Sequence, residues 1–316
     1  MEGTHSGSVI ALLPDGSTAL ALGDLARPVF PRSSNKPLQA VGLLRAGWQP
    51  RSEQELALAT ASHSGEPEHL DVVRGLLAAA GLSGDDLGCP AMLPLSDPAA
   101  HVLLAAGGDG TPLTMNCSGK HAAMLATCAA NGWPVAGYLE QAHPLQVALQ
   151  AAVEELAGEQ VRHVAVDGCG APQHALTLPG LARAFTRLVQ AAPGTPERRT
   201  ADAMRTHPHL VGGTGRDVTA LMQGVPGLLA KDGAEGVYAV AVPGVGAVAL
   251  KVDDGAARAR TPVLVAGLRA LGVEADVLEQ LATLPVLGGG AVVGEVRAAQ
   301  VLQSTGPPDP AAAPPG

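Results

Sequence analysis

The sequence predicts an α+β fold in which strands from both ends of the chain build one antiparallel sheet and helices lie between them. Residues 8–22 have the pattern of a β-hairpin, and residues 235–255 have the pattern of a second hairpin with long apolar arms. The segments between these hairpins mostly show helical spacing of apolar residues. Because the strands cluster at the two ends and do not alternate with helices, this order favours α+β over repeated βαβ units.

Each element has a local signal. The first hairpin turns at Pro14-Asp15-Gly16-Ser17, where glycine tolerates a positive φ. The first helix is predicted to begin near Ser34, with Pro37 in its first turn, and a capping box at Ser52 and Glu55 opens the next helix. A short strand that runs into a glycine-rich turn is predicted within 162–172. Apolar residues at helical spacing predict further helices within 67–81, 119–132, 143–158, 178–192 and 261–272.

The chain is expected to form a single unit over residues 1–305. Its sheet region covers about 8–30 and 215–300, with the helical region between them. Residues 306–316 are rich in proline and alanine and cannot build a core, so we expect a flexible tail there.

Composition excludes several classes of protein. Hydrophobic residues make up 47% of the 316 residues and charged residues 16%, which excludes general disorder. The net charge of −9 and the scattered basic residues argue against a nucleic-acid partner. No apolar run is long enough to span a membrane, and no signal peptide is visible at the N-terminus, so we expect a cytoplasmic protein with no membrane partner. The four cysteines are then expected to be thiols or metal ligands and not disulfides.

Ser33 and Lys36 lie three residues apart at the predicted start of a helix. A serine hydroxyl becomes a good nucleophile when a neighbouring base takes its proton, and a lysine can act as that base once burial lowers its pKa. The helix start also offers backbone N–H groups to a developing oxyanion. The alternative is that Ser33 only caps the helix, which is the more common use of a serine at this position.

Two other segments provide partners for this pair. Ser62 and Ser64 lie in a loop between two predicted helices, where a hydroxyl can relay a proton. Lys231 lies at the mouth of the second hairpin, and Gly233 after it would let a substrate approach the strand closely. A Ser-x-x-Lys pair, a second serine and a Lys-x-Gly strand resemble the active-site pattern of serine β-lactamases and penicillin-binding proteins.

A second cluster of polar residues contains cysteines. Cys117 and Lys120 are predicted at a helix N-terminus, which favours a thiolate, and Cys169 follows a strand two residues after Asp167. Two thiolates together with His121 or Asp167 have the chemistry of a zinc site, although the spacing is not that of a zinc finger. A redox pair or a nucleophilic cysteine are the alternatives.

The segments PRSSNKPLQA, ASHSGEPEH, NCSGKHAAML, DGCGAP, HPHLVGGTGRD and KDGAEGVYA together resemble the asparaginase II family, the rhizobial type of L-asparaginase. The resemblance covers roughly residues 8–300. It implies a serine β-lactamase-like fold, hydrolysis of L-asparagine to aspartate and ammonia, and a homodimer.

The resemblance also implies roles for individual residues. Ser33 with Lys36 and Ser62 with Lys231 would form two catalytic pairs. One zinc ion would be held by Cys117, Lys120 and Cys169. The residues expected to contact the substrate are Arg32, His63 and Asp167.

Amide hydrolysis by this set would start with attack by Ser33 and proton transfer to Lys36, and Ser62 and Lys231 would then relay a proton to the leaving nitrogen. The sequence alone leaves open whether Ser33 or Ser62 attacks first. Backbone N–H groups at Ser33 and near Gly233 would hold the oxyanion. The rival readings are an amidase or esterase acting on glutamine or a lactam, and a non-catalytic zinc- or redox-responsive binding protein.

Overall fold

The computed structural model describes residues 2–303, and the predicted tail at 306–316 lies outside them. The strands are β1 (Gly7–Leu12), β2 (Thr18–Leu22), β3 (Val164–Val166), β4 (Pro172–His174), β5 (Leu229–Asp232), β6 (Val237–Val242), β7 (Gly246–Val252), β8 (Thr283–Gly288) and β9 (Ala291–Arg297). The helices are α1 (Lys36–Arg45), α2 (Glu53–Ala59), α3 (Pro67–Ala79), α4 (Asp97–Ala105), α5 (Ser118–Asn131), α6 (Pro144–Ala157), α7 (Leu178–Gln190), α8 (Pro196–Thr206), α9 (Pro208–Val211), α10 (Asp217–Gly224), α11 (Ala257–Ala270), α12 (Asp276–Leu281) and α13 (Gln300–Gln303).

A five-stranded antiparallel sheet in the order β2-β1-β7-β6-β5 forms the centre of the molecule. Strand β1 joins the two ends of the chain, because Val9 lies opposite Leu22 in β2 and opposite Leu250 in β7. Gly16 has a φ of +87° in the turn between β1 and β2, as the hairpin prediction requires. The sheet is therefore built from N- and C-terminal hairpins with the helical region inserted between them, and the predicted fold class is confirmed.

The C-terminal part of the chain differs in one respect from the predicted sheet region of about 215–300. Strands β8 and β9 pair only with each other and form a separate two-stranded hairpin. Most of their side chains are exposed. Helix α11 packs against β7 and also contacts this hairpin, so the hairpin lies beyond a helix and does not continue the sheet.

Caps define the ends of the predicted helices. The Ser52 hydroxyl accepts a hydrogen bond from the Glu55 N–H (3.2 Å) at the start of α2. Only this half of the predicted capping box forms, because the Glu55 carboxylate binds the Arg51 backbone and guanidinium instead. Gly132 and Gly158 directly follow α5 and α6, and each has a φ of +65°, which glycine adopts without steric cost.

Small side chains allow the buried helices to approach closely. A Cβ at Gly42 in α1 would lie 2.8 Å from the Leu149 side chain in α6, so only glycine fits at this crossing. Helix α7 covers the sheet and buries Phe185, one of the few aromatic residues of the core. Among the helices of residues 2–303, none combines the length and the apolar character that crossing a bilayer would require.

Candidate active site

A 3-10 turn over Arg32–Asn35 leads directly into α1 and places Ser33 at the entrance of that helix. Arg32 has a backbone φ of +52°, in the left-handed region that residues other than glycine and asparagine seldom adopt. Such strained residues persist where the surrounding structure fixes them, and they are concentrated at functional sites.

The turn is fixed by its contact with β5. The Ser34 hydroxyl donates to the Lys231 carbonyl oxygen (2.9 Å). A Cβ at Gly233 would lie 2.5 Å from the Pro31 carbonyl oxygen. Gly233 is therefore required by the close approach of the turn itself, which differs from the predicted approach of a substrate to this strand.

The Lys36 side chain is the centre of the site. It is 1% exposed, and its Nζ donates to the Ala61 carbonyl oxygen, to the Ser62 Oγ (3.1 Å) and to the Cys117 Sγ (3.1 Å). One amine nitrogen thus connects the serine loop after α2 with the cysteine at the start of α5.

The two predicted serine–lysine pairs are arranged differently in the structure. Ser33 is half-buried, and its hydroxyl is in none of the hydrogen bonds described for residues 2–303. Ser62, which was predicted to pair with Lys231, is instead the serine in contact with Lys36. Burial explains this arrangement, because an enclosed amine must find hydrogen-bond partners within the protein, whereas a half-exposed hydroxyl can use water.

Lys231 on β5 is fully buried, and its Nζ donates to the Asp232 carbonyl oxygen (2.8 Å) and carboxylate (2.6 Å). Burial lowers the pKa of Lys231 from 10.5 to about 8, even though the charge of Asp232 acts to raise it, and the nearby Lys36 lowers it further. A lysine with this pKa can accept and return a proton near neutral pH.

Asp232 contacts one buried and two part-buried cations. Its carboxylate also accepts from Arg216 (2.7 Å) and Arg260 (3.3 Å). Burial alone would raise the pKa of Asp232, but Lys231 and the two guanidinium groups hold it below its ordinary value. Arg216 in addition lies 3.4 Å from the Ser62 carbonyl oxygen, which links this network to the serine loop.

The lysines of this chain are concentrated at this site. The sequence contains four, at positions 36, 120, 231 and 251, among 20 basic residues. Lys36, Lys120 and Lys231 are buried, and only Lys251 is partly exposed. Arginine provides nearly all of the other positive charge, so lysine is used almost only where an amine of adjustable pKa is enclosed.

The cysteine cluster lies directly beside Lys36. The Lys120 Nζ donates to the Cys169 Sγ (3.1 Å), and the thiol of Cys117 interacts with the same sulfur. The hydrogen bond from Cys117, followed by the charge of Lys120, lowers the pKa of Cys169, so this sulfur is the thiolate. The interaction with Cys169, together with burial, raises the pKa of Cys117, which remains a thiol.

His121 completes the donor set of this cluster. Its Nδ1 lies 2.6 Å from the Tyr138 hydroxyl, and the ring also interacts with Cys169. Burial lowers the pKa of His121, so its ring is neutral. Two sulfurs, one amine and an imidazole nitrogen fit the ligand chemistry of zinc.

Asp167 and Arg32 form an ion pair at the surface side of this cluster. The Arg32 Nε donates to the Asp167 carboxylate (2.7 Å), and the Cys169 Sγ lies 3.6 Å from the same carboxylate. Both residues line a cavity of about 540 Å³. Lys36, Ser62 and the cysteines are not among the residues that line this cavity.

The match to a known family covers almost the whole chain. The profile of L-asparaginase II matches residues 1–298. The chain belongs to the L-asparaginase II family. This membership confirms the predicted resemblance and identifies the chain as an asparaginase-type amidohydrolase.

Other comparisons add little to the family assignment. No curated protein matches the sequence significantly. Among solved structures, a β-lactamase from Mycobacterium bovis is 15% identical with a TM-score of 0.41, and the alignment covers 79% of this chain and 88% of that one. The protein Mglu, in its tris and glutamate form, is 15% identical with a TM-score of 0.35, and the alignment covers 80% of this chain and 55% of that one.

His63, which was predicted to contact the substrate, lies in the interior of this L-asparaginase II chain. The ring is fully buried; its Nδ1 accepts from the Gly65 N–H (3.1 Å), and its Nε2 lies 2.9 Å from the Ser118 hydroxyl. Burial, and then the charges of His69 and Lys36, hold the pKa of His63 well below 6.5. A neutral ring with both nitrogens engaged supports the serine loop and has no free nitrogen for a ligand.

The structure adds polar residues that the motifs did not indicate. Asp232 binds Lys231, Arg216 and Arg260, whereas the motifs indicated Lys231 alone. Both amide atoms of Asn35, next to Lys36, are buried without a partner among the described residues. The adjacency of Asp232 to Lys231, and of Asn35 to Lys36, was the only available sequence signal for these residues.

Proposed function

We propose that this chain hydrolyses L-asparagine to L-aspartate and ammonia by means of a serine activated by buried lysines. The family supports the reaction type. The contact of the enclosed Lys36 Nζ with the Ser62 Oγ, at 3.1 Å, is the observation that best supports the mechanism.

Ser33 is the nucleophile in this proposal. It follows Arg32, which lines the cavity, and it is half-buried, whereas Ser62 is 4% exposed. A substrate held beside Asp167 and Arg32 would therefore reach Ser33 before Ser62. The charged pair also offers one group of each sign to the α-ammonium and α-carboxylate of an amino acid.

Lys36 takes the proton of Ser33, and its contact with Ser62 provides the path by which that proton reaches the leaving nitrogen. Lys231 has a pKa of about 8 and exchanges a proton in the second half of the cycle, when water attacks the acyl-enzyme. The Ser33 backbone N–H is the oxyanion donor here. The Gly233 N–H donates to the Val237 carbonyl oxygen (2.9 Å) and would have to leave that bond to contribute.

Zinc belongs to the proposal as a bound ion held by Cys117, Lys120 and Cys169, with His121 beside them. When bound, such an ion supplies positive charge next to the substrate site. Lys120 must be neutral to act as a ligand. The sulfurs of Cys169 and Cys117 raise its pKa, despite burial, so zinc binding must displace the proton of Lys120.

The proposal includes a cytoplasmic location and a homodimer, as the sequence and the family resemblance imply. All four cysteines are free and buried, which suits a reducing compartment. Sedimentation of the purified protein tests the homodimer.

The test is ammonia release from L-asparagine, L-glutamine and a chromogenic lactam by the intact chain and by Ser33→Ala. We expect asparagine to be the best substrate and Ser33→Ala to lose about 10³-fold or more of the rate. Ser17→Ala, in the exposed turn between β1 and β2, is the matched control and should retain full activity.

Each rival reading has its own result in this assay. Glutamine or the lactam as the preferred substrate would indicate a different amidohydrolase. The absence of turnover with every substrate, in a chain that folds and binds zinc, would support the non-catalytic binding protein. Equal activity of the intact chain and Ser33→Ala would refute the role of Ser33.

A further inference from the structure

The loop between β5 and β6 brings a further carboxylate to the cavity beside Arg32. This loop covers residues 233–236, and its exposed residue Glu235 lines the same cavity of about 540 Å³ as Arg32 and Asp167. The Glu235 Oε1 lies 3.9 Å from the Arg32 Nη1. Cavities of this size commonly hold small-molecule ligands, so a bound ligand can contact this carboxylate.

Arg32 and Glu235 share an uncommon backbone conformation. Their φ values are +52° and +58°, and among residues 2–303 no other residue except glycine has a positive φ. A residue with a Cβ adopts this conformation at a cost in free energy that glycine avoids. The two strained residues lie on different segments and meet at one cavity, and such strain is concentrated where a side chain is held for a ligand.

The Glu235 carboxylate is held in position but is not neutralised. A Cβ at Gly255, just after β7, would lie 2.5 Å from the Glu235 Oε2, so the carboxylate lies directly against the Gly255 backbone. The Glu235 side chain is 63% exposed and is in none of the hydrogen bonds described for residues 2–303. The separation of 3.9 Å from Arg32 is too long for a hydrogen bond, so both oxygens can accept from a ligand.

The other carboxylates of the cavity are engaged with cations of the protein. The Asp167 side chain is 8% exposed, and its carboxylate accepts from the Arg32 Nε (2.7 Å). Asp253 accepts from Arg27 (2.7 Å). Glu235 is therefore the carboxylate with the most capacity to accept hydrogen bonds from a cationic group of a ligand.

We propose that Glu235, together with Asp167, binds the α-ammonium group of the substrate while the Arg32 guanidinium binds its α-carboxylate. An ammonium group has three N–H donors, so one carboxylate does not satisfy it. Glu235 is then a specificity residue, which selects α-amino acids over the corresponding acids that lack the amino group. The inference rests on the proposed function only for the choice of ligand.

Calorimetric binding of L-aspartate and of succinate to the full chain tests this role without turnover. The two ligands differ only in the α-ammonium group, and L-aspartate is the proposed product. We expect the intact chain to bind L-aspartate about 10-fold or more tightly than succinate, because charge-assisted hydrogen bonds are lost with the amino group. Glu235→Gln should weaken L-aspartate binding by about 10-fold and leave succinate binding unchanged.

Glu235→Gly separates ligand binding from folding, because glycine adopts a φ of +58° without strain. This variant should lose about the same 10-fold in L-aspartate affinity. Its melting temperature should equal that of the intact chain or exceed it by about 2 °C. Glu274→Gln, at an exposed position between α11 and α12, is the matched control and should bind both ligands as the intact chain does.

Three results would overturn this role of Glu235. They are an intact chain that binds L-aspartate no more tightly than succinate, a Glu235→Gln variant with unchanged L-aspartate affinity, and a Glu235→Gln variant that loses equal affinity for both ligands. Ammonia release is measured separately on the same samples. The expected binding pattern without ammonia release would refute the proposed hydrolysis and would still support the role of Glu235.

Discussion

The protonation of Lys231 can be measured through stability, because its burial makes the charged form costly. The difference between the ordinary pKa of 10.5 and the value of about 8 in the folded chain is about 2.5, which corresponds to ~3 kcal/mol. Between these two pH values the unfolded chain holds the proton and the folded chain has lost it. The contribution of Lys231 to the unfolding free energy therefore rises with pH across this window and is fully present only above about pH 10.5.

Lys231→Met isolates this contribution, because methionine keeps the length of the side chain and removes the titrating amine. Asp232 retains Arg216 and Arg260 as partners in the variant. Urea unfolding of both proteins at about pH 7 and about pH 9.5 should show ~2 kcal/mol more gain with pH in the intact chain than in the variant. An identical gain in both proteins would refute the lowered pKa.

Nuclear magnetic resonance gives the same quantity directly. Lysine labelled at its ε-position introduces only four signals, at positions 36, 120, 231 and 251. The signal that is lost in Lys231→Met should titrate near pH 8 in the intact chain. A midpoint above 10 would contradict the effect assigned to burial.

Three further predictions concern groups around Lys231 and the cysteine cluster. Asp232→Asn removes the anion that the buried Lys231 and the part-buried Arg216 share, and should cost ~3–5 kcal/mol of unfolding free energy. The control Asp202→Asn, in an exposed ion pair, should cost ~1 kcal/mol or less, and similar losses in both variants would refute the network. Gly233→Ala should lower both stability and ammonia release, because the added Cβ would lie 2.5 Å from the Pro31 carbonyl oxygen. The control is Gly75→Ala in α3, which should be neutral or stabilising because the nearest atom to its added Cβ is 3.5 Å away. Zinc uptake should release about two protons, from Cys117 and Lys120, and zinc affinity should rise with pH. Calorimetry in buffers of different ionisation enthalpy measures the number of protons released. Uptake without proton release would contradict the ligand set.

Local sequence signals predicted most of the fold. The Pro-Asp-Gly-Ser turn, the Ser52 cap and the glycines after α5 and α6 are short-range features, and the structure contains each of them. Residues 283–297 were predicted only as part of the sheet region of about 215–300, whereas β8 and β9 pair with each other in a separate hairpin that contacts α11.

The candidate site was predictable as a set of residues but not as a set of contacts. Ser-x-x-Lys spacing brings Ser33 and Lys36 to the same end of a helix, yet the Lys36 amine turns toward Ser62 and Cys117. Neither contact has a sequence signal, because the partners are 26 and 81 residues away.

Lys231 and Asp232 show a related limit of sequence reasoning. Neighbouring residues in a strand normally point to opposite faces, so a contact between their side chains is not expected from the strand pattern. The Lys231 amine nevertheless reaches the Asp232 carboxylate at 2.6 Å, because burial leaves it few other acceptors.

The most direct test of the proposed mechanism is to identify which side chain an asparagine analogue modifies. An analogue with a diazoketone in place of the side-chain amide alkylates the nucleophile it is bound against, and peptide mapping by mass spectrometry locates the label. We predict a single label on Ser33, which is lost in Ser33→Ala and slowed when Lys36 is replaced by methionine. A label on Cys117 or Ser62, with Ser33 unmodified in an active enzyme, would contradict the assignment of Ser33 as the nucleophile.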